Sequence, residues 1–244
     1  MDLPDYWLRR PDQDRADGET VAGFERLLDE ALANGPERPV DYRLAAPKWQ
    51  FLCHAAERSD LVLHGSGDPG IELFEPRQPD DELEFSNRHA VFAATDGIWP
   101  MYYAILDRER FPMSLCNACV RVCSPAPDAR PGDPCYFFSI SDTALARRPW
   151  RTGFVYLLPA ATFEIQPRLT VGDVHIQVAQ AASAVPVRPG AKLMVGPDDF
   201  PFLHRIRGHD DALMQARIAA DPGGFPWVEQ PPAAGDAGTG GLRG

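Results

Sequence analysis

Between residues 17 and 35, apolar side chains recur at Val21, Phe24, Leu27, Leu28, Ala31 and Leu32, and Gly35-Pro36 ends the run. That spacing follows the 3.6-residue period and predicts a helix with a glycine-proline stop. A second helix is expected over Pro47 to Arg58, because Pro47 suits a first helical turn and Trp49, Leu52, Cys53 and Ala56 share one face. From Asp60 the pattern shortens. Runs at Leu61–His64, Ala90–Ala94, Leu115–Val122, Tyr136–Ile140, Phe154–Leu158, Val174–Val178 and Lys192–Val195 lie between Gly, Pro and Asp clusters and predict strands. Ile98 to Leu106, with Pro100 in its first turn, and Asp211 to Ala220, ending before Pro222, predict two further helices. The strands do not alternate regularly with helices, so the pattern predicts an α+β fold and not a doubly wound parallel sheet. The expected division is a helical arm over residues 1–58, an α+β domain over 59–220 and a disordered tail over 221–244. Within that tail, the stretch from Gln230 holds nothing able to bury a core.

Composition narrows the class. The chain has 244 residues, 44% hydrophobic and 24% charged, values typical of a globular protein large enough for one full core. Its 24 Lys+Arg against 35 Asp+Glu leave a net charge of −11, which weighs against general nucleic-acid binding. Apolar runs such as Phe154–Leu158 are far shorter than the roughly twenty residues of a spanning helix. Arg9-Arg10 is followed by no apolar export segment, so the cytoplasm is the expected compartment. The sequence has no phosphate-binding Gly-Lys-Ser/Thr loop, Gly-x-Ser-x-Gly elbow or zinc-protease helix.

Two constellations carry candidate chemistry. In Leu61-Val62-Leu63-His64-Gly65-Ser66, a strand delivers a histidine to a glycine, where a ligand can approach the backbone; the plainer reading is a capped strand-end histidine beside a turn. Phe92, Trp99, Tyr102 and Tyr103, taken singly, read as core, with Trp99 and Tyr103 on one helical face. The second constellation is Cys116-x2-Cys119-x3-Cys123-x11-Cys135, which in principle suits a tetrahedral zinc site. No glycine turn separates Cys116 from Cys119, and on a strand those two face opposite ways. Buried thiols, a metal site and a regulatory disulfide are the three readings. Later, His204, His209, Asp210 and Asp211 follow Asp198-Asp199; a His-x4-His pair converges only on a helix, and Gly208 interrupts this one, so they read as core and surface residues.

The order His64-Gly65-Ser66, then Val91-Phe92-Ala93-Ala94, then a helix bearing aromatics resembles the first two motifs of the ADP-ribosyltransferase superfamily, including its poly(ADP-ribose) polymerase branch. The resemblance spans residues 60 to 205 and implies a split, bent β-sheet with a cleft and NAD as substrate, with no metal expected. It further implies that His64 bonds the adenosine ribose and that the Gly65 backbone grips the nicotinamide amide, with Ser66 beside them. Phe92 and Tyr103 would sandwich the nicotinamide ring, Phe92 standing where the family carries tyrosine. The family's third motif is a strand glutamate, and here the sequence departs from it. Beyond Ser141 only Glu164 and Glu229 remain, while Val174 to Gln180 offers Gln177 and Gln180. Gln180 and Glu164 are therefore the catalytic candidates for ADP-ribose transfer or NAD hydrolysis, with the acceptor, protein, nucleic acid or water, left open. One alternative is a catalytically inactive interaction or nucleotide-binding protein of the same fold; a second is a protein whose four clustered cysteines hold a structural zinc ion. A looser likeness is to actinobacterial proteins with similar Leu-His-Gly-Ser and Asp-Phe-Pro-Phe-Leu stretches.

Overall fold

A computed structural model of the chain describes residues 4–11, 16–79, 84–124 and 131–227. Along it run β1 (Leu8–Arg9), α1 (Gly18–Asn34), α2 (Lys48–Ala56), β2 (Leu61–Ser66), β3 (Val91–Ala94), α3 (Trp99–Ile105), β4 (Leu115–Cys123), β5 (Pro134–Ser141), α4 (Asp142–Leu145) and β6 (Gly153–Pro159). The chain continues through β7 (Glu164–Ile165), β8 (Leu169–Val171), β9 (Val174–Val178), β10 (Gln180–Ser183), β11 (Ala191–Val195), β12 (Arg207–His209) and α5 (Asp211–Ala220). The architecture is mixed α+β, with sheets that are mostly antiparallel. Four short strands, β1, β7, β8 and β12, carry no periodic signal, because two or three residues are too few to show alternation.

Two six-stranded sheets form among the described residues. The first has the order β1-β5-β4-β9-β8, with β12 also on β5; the second has the order β11-β6-β2-β3-β10-β7. The run Val174 to Gln180, read from sequence as one strand, is divided between them. β9 pairs with β4 in the first sheet and β10 pairs with β3 in the second, so Gln177 and Gln180 belong to different sheets. Ala179 is the crossing point. Its N–H donates to the Cys119 carbonyl at 2.9 Å, and its carbonyl accepts from Thr95 N–H at 3.0 Å, so the backbone stays satisfied while the chain changes sheets.

The helices of the expected N-terminal arm join the same core as the sheets. Asp17 caps α1 by accepting from Thr20 N–H at 2.8 Å, and Gly35, at φ 77°, ends it in a backbone state that glycine adopts without strain. Phe24 and Leu28, on its inner face, lie in one buried cluster with Leu52, Leu63, Tyr136 and Leu193. Each such side chain contributes about 1.5–3 kcal/mol by leaving water. Residues 221–227, assigned to the tail by composition, are packed: the Phe225 ring lies 6.1 Å from Trp7 and 5.8 Å from Phe137. Two aromatics in a Gly/Pro stretch suffice to dock it. Gln230 onward, with Glu229, lies outside the described residues.

Helix α3 lies directly on the backbone of the second sheet. A Cβ at Gly65 on β2 would come within 1.8 Å of the Pro100 carbonyl oxygen, and one at Gly153 on β6 within 2.0 Å of the Ala104 carbonyl oxygen. The helix start is held by buried Asp96. Its Oδ1 accepts from Ile98 and Trp99 N–H at 2.8 and 2.9 Å, and its Oδ2 accepts from Tyr136 Oη at 2.8 Å and Arg10 Nη2 at 3.3 Å. One carboxylate thus ties α3 to the first sheet and to the N-terminal segment.

Candidate functional site

Strand β3 pairs with β10 at four positions but with β2 at one, Leu63↔Ala94. Beyond that pair, β2 and β3 part company. His64 spans the opening: its Nδ1 lies 2.6 Å from the Phe92 carbonyl oxygen, and the Phe74 ring lies 4.7 Å from its own. A carbonyl only accepts, so Nδ1 carries the proton and Nε2 is left as an acceptor. Burial holds the imidazole below its ordinary 6.5, with Arg108 and Arg77 adding to the effect and the Phe92 carbonyl opposing it, so His64 is neutral at pH 7.

A cavity of about 800 Å³ opens at this split. It is lined by His64, Gly65, Phe92, Tyr103 and Gln180, five of the seven site residues expected from sequence. Tyr103 Oη and Trp99 Nε1 both donate to Asn117 Oδ1, at 2.8 and 2.7 Å, which fixes the aromatic wall of α3 against β4. Ser86 Oγ donates to Gln180 Oε1 at 2.9 Å, which leaves the donor end of the amide, Nε2, as its other face. Arg108, which the sequence reading passed over, lines the same space and brings a positive charge.

The remaining two expected residues lie elsewhere. Ser66 Oγ accepts from Asp68 N–H at 3.1 Å and serves the turn after β2. Glu164 is exposed on β7 and pairs with Arg88 at 2.9 Å, outside the cavity lining. The role expected of Gly65 also changes. The space its missing side chain leaves is filled by the Pro100 carbonyl, so glycine here answers to helix packing on that side. Gln177 Nε2 donates to the Gln166 carbonyl and braces the sheet crossing.

The structure brings a further group to the cavity that linear spacing hid. Strand β12 pairs parallel with β5 in the register His209↔Ser141, while Ser114 precedes β4 opposite Ser141. Ser114, His209 and Asp211 consequently line the same cavity. The reading of His209 and Asp211 as core and surface residues agrees with their burial, His209 being buried and Asp211 exposed; linear spacing did not show that both line this cavity, His209 from a strand and not a helix. Burial lowers the His209 imidazole from its ordinary 6.5, opposed by the carboxylates of Asp211, Asp142 and Asp210. Burial raises Asp211, but the Ser114 and Ser141 hydroxyls together with His209 outweigh it and bring the carboxyl below its usual range.

A larger cavity of about 1240 Å³ is lined mainly by apolar residues, among them Trp7, Phe24, Trp49, Val120 and Ile176. Its thiols, Cys53 and Cys135, are pushed up by burial and are protonated at neutral pH. Cys116 packs with Phe137 and Met214, whereas Cys119 lies in the main core. Among the described residues, no three His, Cys, Asp or Glu side chains come together as a metal site. No helix among them is long and apolar enough to cross a membrane. Comparison of the chain with protein-family models, curated proteins and solved structures finds no match.

Proposed function

We propose that the 800 Å³ cavity binds NAD or a related ADP-ribosyl compound, and that the fold is of the ADP-ribosyltransferase type. The observation that carries this reading is the meeting of His64, Phe92 and Gln180 at one cavity, from the neighbouring strands β2, β3 and β10. The groups suit the ligand. The free Nε2 acceptor of a neutral His64 matches a ribose hydroxyl, and Phe92 and Tyr103 offer ring faces to a nicotinamide. Arg108 supplies the charge that a pyrophosphate requires.

In this reading the chain transfers ADP-ribose or hydrolyses NAD through a cationic ribosyl transition state. Gln180 takes the third-motif position, since Glu164 is held outside by Arg88. A neutral amide stabilises a developing cation less than a carboxylate does, and losing such a group costs about 2.7–4 kcal/mol, or 10²–10³ in rate. Gln180 therefore also supports a second reading, an interaction or nucleotide-binding protein that kept the cavity without turnover.

Calorimetric titration with NAD, on wild type and His64→Ala checked for folding by circular dichroism, tests the cavity. Binding that weakens at least tenfold in the variant supports it. No binding by wild type at millimolar NAD ends it, and unchanged binding in His64→Ala ends the assignment of the site. Nicotinamide release then separates the two readings. Gln180→Glu should raise the rate, and Glu164→Gln should leave it unchanged. No release from wild type or Gln180→Glu leaves the non-catalytic reading standing.

A further inference from the structure

The first sheet ends at β8, and that edge is open. β8 and β9 form a hairpin in the register Leu169↔Ile176, Thr170↔His175 and Val171↔Val174, closed by Gly172 and Asp173. In a two-residue hairpin the last pair, Val171 and Val174, exchanges both backbone bonds, so alternation along the ladder turns the Thr170 N–H and carbonyl away from β9. Among the described residues no backbone partner meets them. An edge of this kind is a template for another strand.

The face beside this edge is apolar. Leu169 and Val171 on β8, Val174 and Ile176 on β9 and Val122 on β4 share it, and all five line the 1240 Å³ cavity. Val171 is 54% exposed at the edge and Val122 41% exposed two strands further in, so the uncovered apolar surface is continuous with the unpaired backbone. The edge sequence itself, Arg168-Leu169-Thr170-Val171-Gly172-Asp173, is self-complementary about Thr170. Leu169 and Val171 flank it on one face, and exposed charges of opposite sign, Arg168 and Asp173, stand at the two ends.

We infer that β8 pairs antiparallel with β8 of a second copy of this chain, about a two-fold axis at Thr170, so that the first sheets of two molecules join edge to edge. The two Thr170 residues then exchange their open backbone bonds. Leu169 stands opposite the partner's Val171, and Val171 opposite the partner's Leu169, on the apolar face. One apolar row runs from Val122 through Ile176 and Leu169 to the partner's Val171 and the partner's Val174. Arg168 falls opposite the partner's Gly172, whose missing side chain leaves room for the guanidinium to reach the carboxylate of the partner's Asp173, and the two-fold repeats this contact. A slip of one residue would set apolar against polar side chains, so the pattern specifies one register. The inference makes no use of the cavity read above as the NAD site.

The test is sedimentation equilibrium of the full chain through the micromolar range, with circular dichroism to confirm that each variant folds. Wild type should reach twice the chain mass. Val171→Lys places a charge at the edge and should raise the dimer dissociation constant at least about tenfold, as should Thr170→Pro, which removes the outward N–H. Arg168→Glu and Asp173→Arg should each weaken the dimer alone, because like charges then meet at both ends of the pairing. Mixed together, these two variants should form a heterodimer near wild-type strength, since each altered charge now faces its opposite across the axis; a defect internal to one chain would not be rescued by the other. A wild type that stays monomeric, or that assembles beyond two copies, overturns the inference. So does a dimer that folded Val171→Lys leaves intact, and failure of the mixed pair to recover overturns the register.

Discussion

Replacing Gly65 by alanine would place a Cβ 1.8 Å from the Pro100 carbonyl oxygen and 3.1 Å from the Ala104 nitrogen. Ordinary contact begins near 3.4 Å, so one of two backbones must move by more than an ångström. Neither yields easily: β2 is laddered to β6 over six pairs, and the start of α3 is anchored by Asp96. Overpacking typically costs about 1–3 kcal/mol, and a clash between backbones belongs at the top of that range. At about 2–4 °C per kcal/mol for a chain of this size, Gly65→Ala should melt about 6–12 °C below wild type. Gly67 supplies the control. A Cβ there would come as close, 1.7 Å, but to the Arg151 guanidinium, the far end of a flexible side chain that can swing aside. Gly67→Ala should therefore lie within about 1 kcal/mol of wild type. The measurement is thermal and urea unfolding of the three proteins, each followed by far-ultraviolet circular dichroism. Equal stability of Gly65→Ala and Gly67→Ala would refute the claim that α3 rests on the strand backbone, and would return Gly65 to the role of an open approach for ligand.

Three further outcomes follow from other contacts. Asp96→Ala removes the acceptor for two helix N–H groups, the Tyr136 hydroxyl and Arg10, and should lose about 3–5 kcal/mol in the same unfolding assay; a loss below about 1 kcal/mol would show that these bonds are replaceable. Burial lowers both His64 and His209 below 6.5, so the unfolded chain binds more protons in this window and their contribution to stability is complete above pH 6.5 and lost as pH falls through their folded values. The melting temperature should hold steady from about pH 7.5 to 6.5 and decline below that, and a rise on acidification would contradict it. The thiols of Cys53, Cys116 and Cys119 are raised by burial, Cys116 to about 12, so labelling by a disulfide reagent at about pH 8 should await unfolding; fast modification of any of the three in the native protein would refute their burial.

What the sequence by itself determined is what a single element records about its own surroundings. The α1 stripe of Phe24, Leu28 and Ala31 and the aromatic face of Trp99 and Tyr103 show the helical period, and the short apolar runs at residues 61–64 and 91–94 have the length and composition of buried strands. His64, Phe92, Tyr103 and Gln180 could likewise be singled out by motif order, and they line one cavity. Tertiary structure decided the rest, because the deciding contacts are nonlocal. Whether Gln180 or Glu164 reaches the cavity depends on the sheet crossing at Ala179 and on the pull of Arg88 on Glu164. Gly65 is glycine because α3 returns over it some thirty-five residues later in the chain, which no local pattern encodes. Ser114 and His209 stand 95 residues apart and meet only because β12 joins β5 in a parallel register that sets His209 beside Ser141. A polar side chain carries no periodic mark of its partner, so such a cluster becomes visible only when the strands that hold it are side by side.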